Sequence, residues 1–139
     1  MKKVLILCTG NSCRSIMAEA LINHYLGDKW EAYSAGVSPS HVHPRSVLAL
    51  KELGISTSGL RSKSVTEFLS RNDLDLVITV CDHARETCPV FFKPVEQVHL
   101  GIEDPVSRVF LSEESAMGSF RECRDQIREK VLGYLEKIG

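Results

Sequence analysis

Apolar residues fall along this chain in two rhythms. Short, nearly unbroken apolar runs open the sequence at Val4-Leu5-Ile6-Leu7 and recur at residues 74–80, Leu74-Asp75-Leu76-Val77-Ile78-Thr79-Val80. Runs of this kind are what strands buried on both faces require. Shorter runs at residues 30–34 and 95–100 predict two more strands. Between them the period lengthens to helical spacing. Residues 14–26 place Met17, Ala20, Leu21, His24 and Tyr25 on one face, with Gly27 closing the segment. Residues 44–53 carry Pro44 in the first turn and Gly54 just past the end. Ser64-Val65-Thr66-Glu67 has capping-box spacing and predicts a short third helix. Residues 119–138 predict a long terminal helix, with Phe120, Cys123, Ile127, Val131 and Leu135 on its apolar stripe.

Strands alternating with helices predict an α/β fold: a doubly wound, four-stranded parallel sheet with helices on both faces. The chain has 139 residues, and one domain spanning 1–139 is expected. Long loops at residues 36–43, 81–93 and 101–112 follow strand ends, where function tends to sit.

Composition narrows the function classes. A net charge of -1 gives no footprint for nucleic acid or for an anionic membrane surface. The apolar run at residues 4–7 is far too short to span a bilayer, and no signal-peptide apolar region follows Met1-Lys2-Lys3. The protein is expected in the cytoplasm, with no nucleic-acid or membrane partner. Five cysteines in a reducing compartment are not a disulfide framework. Catalysis, redox exchange, metal binding and core packing remain as their uses.

The loop Cys8-Thr9-Gly10-Asn11-Ser12-Cys13-Arg14-Ser15 joins the first predicted strand to the first helix. A tight loop before a helix aims consecutive backbone N–H groups at one point, and the helix N-terminus adds partial positive charge. A cysteine facing that cluster is favoured as its nucleophilic thiolate. An arginine fork chelates two oxygens of a tetrahedral anion. Cys8 is therefore the candidate nucleophile, Arg14 the clamp, and residues 9–15 the oxyanion cradle. Asn11 and Ser15 can brace the loop through side-chain hydrogen bonds, and Ser15 can donate to Cys8. The competing reading is a buried strand-end cysteine beside a solvated helix arginine.

This loop, with Met17-Ala18-Glu19-Ala20 after it, resembles the phosphate loop and first helix of low-molecular-weight tyrosine phosphatases and of the arsenate reductases built on their fold. Tyr33-Ser34-Ala35-Gly36 and Asp104-Pro105 match as well. The resemblance covers nearly the whole chain. It implies that Asp104 is the general acid that protonates the leaving oxygen, a group the chemistry asks for. The alternative for Asp104 is a turn-forming aspartate before proline.

The segment Cys81-Asp82-His83-Ala84-Arg85-Glu86-Thr87-Cys88-Pro89 resembles the redox segment of thioredoxin-coupled arsenate reductases. That resemblance implies reduction of arsenate through a Cys8–arsenic adduct, then a Cys8–Cys81 disulfide, then a Cys81–Cys88 disulfide that thioredoxin reduces. No cofactor and no metal is expected. If residues 81–88 form one helix, the two Cα atoms are roughly 10.5 Å apart, whereas a disulfide needs about 4.4–6.8 Å. The segment is therefore expected to be helical or compact when reduced and looped out when oxidised. Core filling by Cys81 and Cys88 competes with this reading, as does a zinc site with His83, although the spacing fits no common zinc pattern. A phosphatase whose Cys81 and Cys88 protect Cys8 is one functional alternative. A redox-sensing, oxyanion-binding module is another.

Three further readings complete the expectations. Cys13 and Cys123 are read as packing, and His41 and His43 as surface residues. Val106 stands where tyrosine phosphatases often carry an aromatic residue. Some thioredoxin-coupled members bind potassium with residues matching Asn11, Glu19 and Ser34 plus an aspartate near residues 62–64. Lys63 stands there in this chain. Its ammonium would replace the cation as the partner of Glu19, so no potassium dependence is expected.

Overall fold

A computed structural model describes residues 1–106 and 109–139. The elements follow as β1 (Lys2–Cys8), α1 (Arg14–Tyr25), β2 (Trp30–Gly36), α2 (Pro44–Lys51), a 3-10 turn (Val65–Phe68), β3 (Leu76–Thr79), α3 (Asp82–Thr87), β4 (Glu96–His99), α4 (Glu113–Ile127), a π-helical turn (Arg128–Leu132) and α5 (Gly133–Ile138). The four strands form one parallel sheet in the order β2-β1-β3-β4. Val4, Leu5, Ile6 and Leu7 are all fully buried, as the unbroken apolar run requires of the strand between two neighbours.

Both faces of the sheet are covered, and residue parity shows how. In β2, Ser34 donates from Oγ to Glu19 of α1 at 2.7 Å. Its neighbour Tyr33 points the other way and packs its ring against Phe68 of the 3-10 turn, with centroids 5.8 Å apart. The terminal helices and α2 pack over α1. Among the described residues no helix is long and apolar enough to cross a membrane.

Several expected boundaries shift, each for a local reason. The first two turns of α1 are buried nearly all round, including Ser15, Ile16, Met17, Ala18 and Ala20, because α1 lies between the sheet and the helices above it. His24 and Tyr25, expected on the apolar face, lie on the exposed last turn. The terminal helix starts at Glu113 rather than residue 119. Ser112 caps it by accepting from the Ser115 N–H at 3.1 Å, and Glu113 and Glu114 suit its positive end. The third helix is only a 3-10 turn, capped as expected by Ser64. β3 and β4 are shorter than the apolar runs that signal them, at residues 76–79 and 96–99.

Parallel strands end at one edge, so Cys8, Gly36, Thr79 and His99 lie at a common rim. The loop after β1, the helix after β3 and the Asp104 segment after β4 meet there.

Candidate active site

The loop after β1 is held from outside by its carbonyls. The carbonyl of Cys8 accepts from Val37 N (3.2 Å), Thr9 from Ser38 N (2.9 Å), Gly10 from Ser40 N (3.0 Å) and Ser12 from His43 N (3.1 Å). The Asn11 carbonyl accepts from Ser62 Oγ at 2.5 Å. Cys13 closes the series by accepting from Met17 N at 2.9 Å. In a trans peptide the C=O and the following N–H point in opposite directions. Carbonyls turned outward therefore turn the N–H groups of residues 9–14 toward the hollow of the loop. Converging N–H groups of this kind have the form of an anion-binding nest.

The loop needs two special backbone positions. Asn11 adopts a left-handed φ of 50°, which asparagine tolerates better than most residues. Gly36, at the end of β2, passes so close that a Cβ would lie 2.4 Å from the Thr9 carbonyl oxygen. Only glycine fits against the loop there.

Asn11 also heads a hydrogen-bond chain to the candidate nucleophile, Cys8. Its Oδ1 accepts from the Lys63 backbone N–H at 2.8 Å, which fixes which end of the amide is which. Its Nδ2 then donates to Ser15 Oγ at 2.8 Å. That leaves the Ser15 hydroxyl hydrogen for the Cys8 sulfur, 2.8 Å away. Asn11 and Ser15 are fully buried, so this chain is shielded from water.

Arg14 begins α1 and donates from Nη1 to the Ile102 carbonyl at 3.3 Å. Its Nη2 lies 3.9 Å from Asp104 Oδ2. Asp104 in turn accepts from Val106 N at 3.0 Å. Cys8, residues 9–10 and 12–14, Ser40, His43, Asp104 and Val106 line one pocket of about 250 Å³. Cys8, the loop N–H groups, Arg14 and Asp104 thus share one small hollow. The arrangement can bind a tetrahedral oxyanion, attack its centre and protonate a leaving oxygen.

Cys81 is the N-cap of α3 and Cys88 its C-cap, so the segment is helical, with both thiols free. Cys81 is buried and its sulfur accepts from Ala84 N at 3.4 Å. The same sulfur lies 3.3 Å from Thr9 Oγ1. The second thiol therefore rests against the residue that follows Cys8. Half-buried Cys88 is pushed up by its burial, which makes it a weak nucleophile in this conformation. Among the described residues no group of three or more His, Cys, Asp and Glu side chains has the arrangement of a metal site.

Cys13 and Cys123 are buried, and burial pushes the Cys123 thiol up to about 12. His43, expected at the surface, is instead half-buried: its Nδ1 accepts from Arg45 N at 3.0 Å and its ring lies 4.7 Å from that of Phe120. The signal for its capping role was present in the sequence, as a polar residue before Pro44 at a helix start, whereas its burial had none. The Thr9–Cys81 contact had no such signal, since it joins residues 72 apart. Lys63 falls where the resemblance places it: its Nζ lies 3.4 Å from Glu19 Oε1, the oxygen that Ser34 also contacts, and 2.9 Å from the Arg61 carbonyl.

Comparison with known proteins agrees with this geometry. An arsenate reductase from Halalkalibacterium halodurans is 42% identical over 97% of this chain and 96% of its own. A solved arsenate reductase in its phosphate-binding state superposes with a TM-score of 0.80 at 31% identity, with both chains fully covered. A thioredoxin-dependent arsenate reductase from Corynebacterium glutamicum superposes at 0.67 and 26% identity, over all of this chain and 64% of that one. The model of the low molecular weight phosphotyrosine protein phosphatase family matches residues 3–139, and the chain belongs to that family.

Proposed function

We propose that the protein is an arsenate reductase of the cytoplasm, recycled by thioredoxin. The Cys8 thiolate attacks arsenic in arsenate held by the loop N–H groups and Arg14. A sulfur–arsenic bond forms, and an oxygen leaves as water on a proton from Asp104. The Cys81 thiolate then attacks the Cys8 sulfur. A Cys8–Cys81 disulfide forms, the sulfur–arsenic bond breaks, and its electron pair stays on arsenic, which departs as arsenite. Cys88 attacks Cys81 next, forming Cys81–Cys88 and freeing Cys8 as thiolate. Thioredoxin supplies two electrons to reduce that last disulfide.

The observation that carries this reading is the Cys81 sulfur 3.3 Å from Thr9 Oγ1, a second thiol against the nucleophile's own loop. A phosphatase needs no such thiol. Support also comes from relatives named arsenate reductases along the whole chain. The test is arsenate-dependent NADPH oxidation with thioredoxin and its reductase. Cys8→Ser and Cys81→Ser should abolish turnover. Cys88→Ser should release arsenite once and stop, while weak aryl-phosphate hydrolysis continues. Efficient phosphotyrosine turnover without arsenate-dependent thioredoxin oxidation would instead make the protein a phosphatase. Oxyanion binding with neither activity would make it a sensing module.

A further inference from the structure

His99, the last residue of β4, reaches across the rim in two directions. Its Nδ1 lies 2.9 Å from Thr79 Oγ1 at the end of β3. Its Nε2 lies 3.2 Å from Oδ1 of Asp82, the first residue of α3. An ionised carboxylate can only accept, so the ring form that pairs with Asp82 carries a hydrogen on Nε2, and the Thr79 hydroxyl, which both donates and accepts, suits Nδ1 in that form. Arg85, one turn along α3, lies 3.4 Å from the same Asp82 oxygen. Asp82 directly follows Cys81. The start of α3 is thus tied to the sheet at the residue next to the second thiol.

We propose that His99 is a positioning residue that clasps α3 through Asp82, keeping Cys81 against Thr9 and opposing the unwinding that lets Cys81 meet Cys88. The inference rests on the disulfide relay proposed above. Within that relay α3 faces two demands. Cys81 must first stay near Cys8. It must then leave, because one helix holds the two Cα atoms roughly 10.5 Å apart and a disulfide tolerates about 4.4–6.8 Å. A clasp of one partly exposed pair is weak enough to open during turnover and strong enough to bias the two positions. It favours the first exchange, in which Cys81 attacks Cys8 and arsenic leaves with the electron pair. It disfavours the second, in which Cys88 attacks Cys81 and Cys8 leaves as thiolate.

The test is a double-mutant cycle of Asp82→Ala and His99→Asn, with Asp82→Asn as the conservative control. Asparagine at 99 keeps a polar group toward Thr79 and is too short to reach Asp82, and asparagine at 82 still accepts from His99. Hydrogen exchange of the α3 amides in the reduced protein is the first readout. Both single variants should exchange roughly three- to fivefold faster, the double variant no faster than either, and Asp82→Asn near the parent rate. Unchanged or additive exchange overturns the clasp. The second readout is a glutathione redox titration of Cys81–Cys88 in a Cys8→Ser background. The equilibrium should move toward the disulfide by a similar roughly three- to fivefold in either single variant. Faster exchange without that shift overturns the role in the relay. If the parent forms no Cys81–Cys88 disulfide, the relay itself fails, a result separate from the exchange data that decide the clasp.

Discussion

Thr9 Oγ1 and Cys81 Sγ lie 3.3 Å apart, joining the oxyanion loop to the cap of α3. Thr9→Val keeps the loop N–H and the side-chain shape and deletes the hydrogen bond. A net hydrogen bond contributes about 0.5–1.5 kcal/mol, so arsenite release in a single turnover should slow roughly two- to twelvefold. Phosphate affinity, set by the N–H groups, is the internal comparison. An equal loss there would place the effect in the loop rather than in the docking of Cys81.

Lys63 and Glu19 form an ion pair whose side chains are only 9% and 15% exposed. The ammonium sits among Glu19, the Arg61 carbonyl and the segment that holds Asn11. Exchanging potassium for sodium at constant ionic strength should leave kcat/KM unchanged. Lys63→Ala strands a nearly buried carboxylate and should cost about 3 kcal/mol in urea unfolding. Potassium should restore part of that loss, because a bare cation can occupy the ammonium position. A wild-type protein whose activity rises with potassium would show that Lys63 does not serve this role.

β1 and β3 were legible because a strand buried on both faces writes its burial into consecutive residues, as Val4 to Leu7 do, whereas β2 alternates and the edge strand β4 is largely exposed, so their traces are shorter. The bracing of the loop after β1 was legible for a different reason, since Cys8, Asn11 and Ser15, which contact one another, are neighbours in sequence. Burial imposed from elsewhere was not. The helix periodicity placed His24 and Tyr25 inside, yet α1 owes its buried sides to elements far along the chain. His43 read as a surface residue because Phe120, which covers it, arrives 77 positions later. The Thr79–His99–Asp82 chain has no local signature at all, because it exists only once β3, β4 and α3 share a rim.

Gly36→Ala tests whether the loop tolerates pressure from β2. The added Cβ would sit 2.4 Å from the Thr9 oxygen and 2.9 Å from the Asn11 nitrogen, both backbone atoms. Overpacking of this kind costs about 1–3 kcal/mol. The displaced atoms belong to the oxyanion cradle, where a shift of about 1 Å can cost on the order of a hundredfold in rate. Arsenate turnover should therefore fall far more than stability does. Circular dichroism should report a folded protein with a modestly lowered Tm. Near wild-type kcat/KM would mean that the cradle does not depend on this close approach.

His43 gives the stability of the loop an acid limit. Its Nδ1 accepts from Arg45 N, so the cap on α2 needs the neutral ring. Burial first, and then the charges of Arg45 and His41, push its pKa below the usual histidine value, with Glu113 opposing. A base whose folded pKa is depressed contributes fully above its unfolded pKa, near 6.5. That contribution is lost as pH falls through the folded value. The same residue holds the Ser12 carbonyl through its backbone N–H, so loss of the cap loosens the oxyanion loop as well. Asparagine caps a helix without titrating. Between pH 7.5 and 5 the wild-type Tm should fall about 3–4 °C further than that of His43→Asn, the equivalent of one lost cap of about 1 kcal/mol. The acid decline in kcat/KM should ease in the same variant. Parallel Tm and activity profiles for the two proteins would remove His43 as the cause and leave the acid limit to the carboxylates.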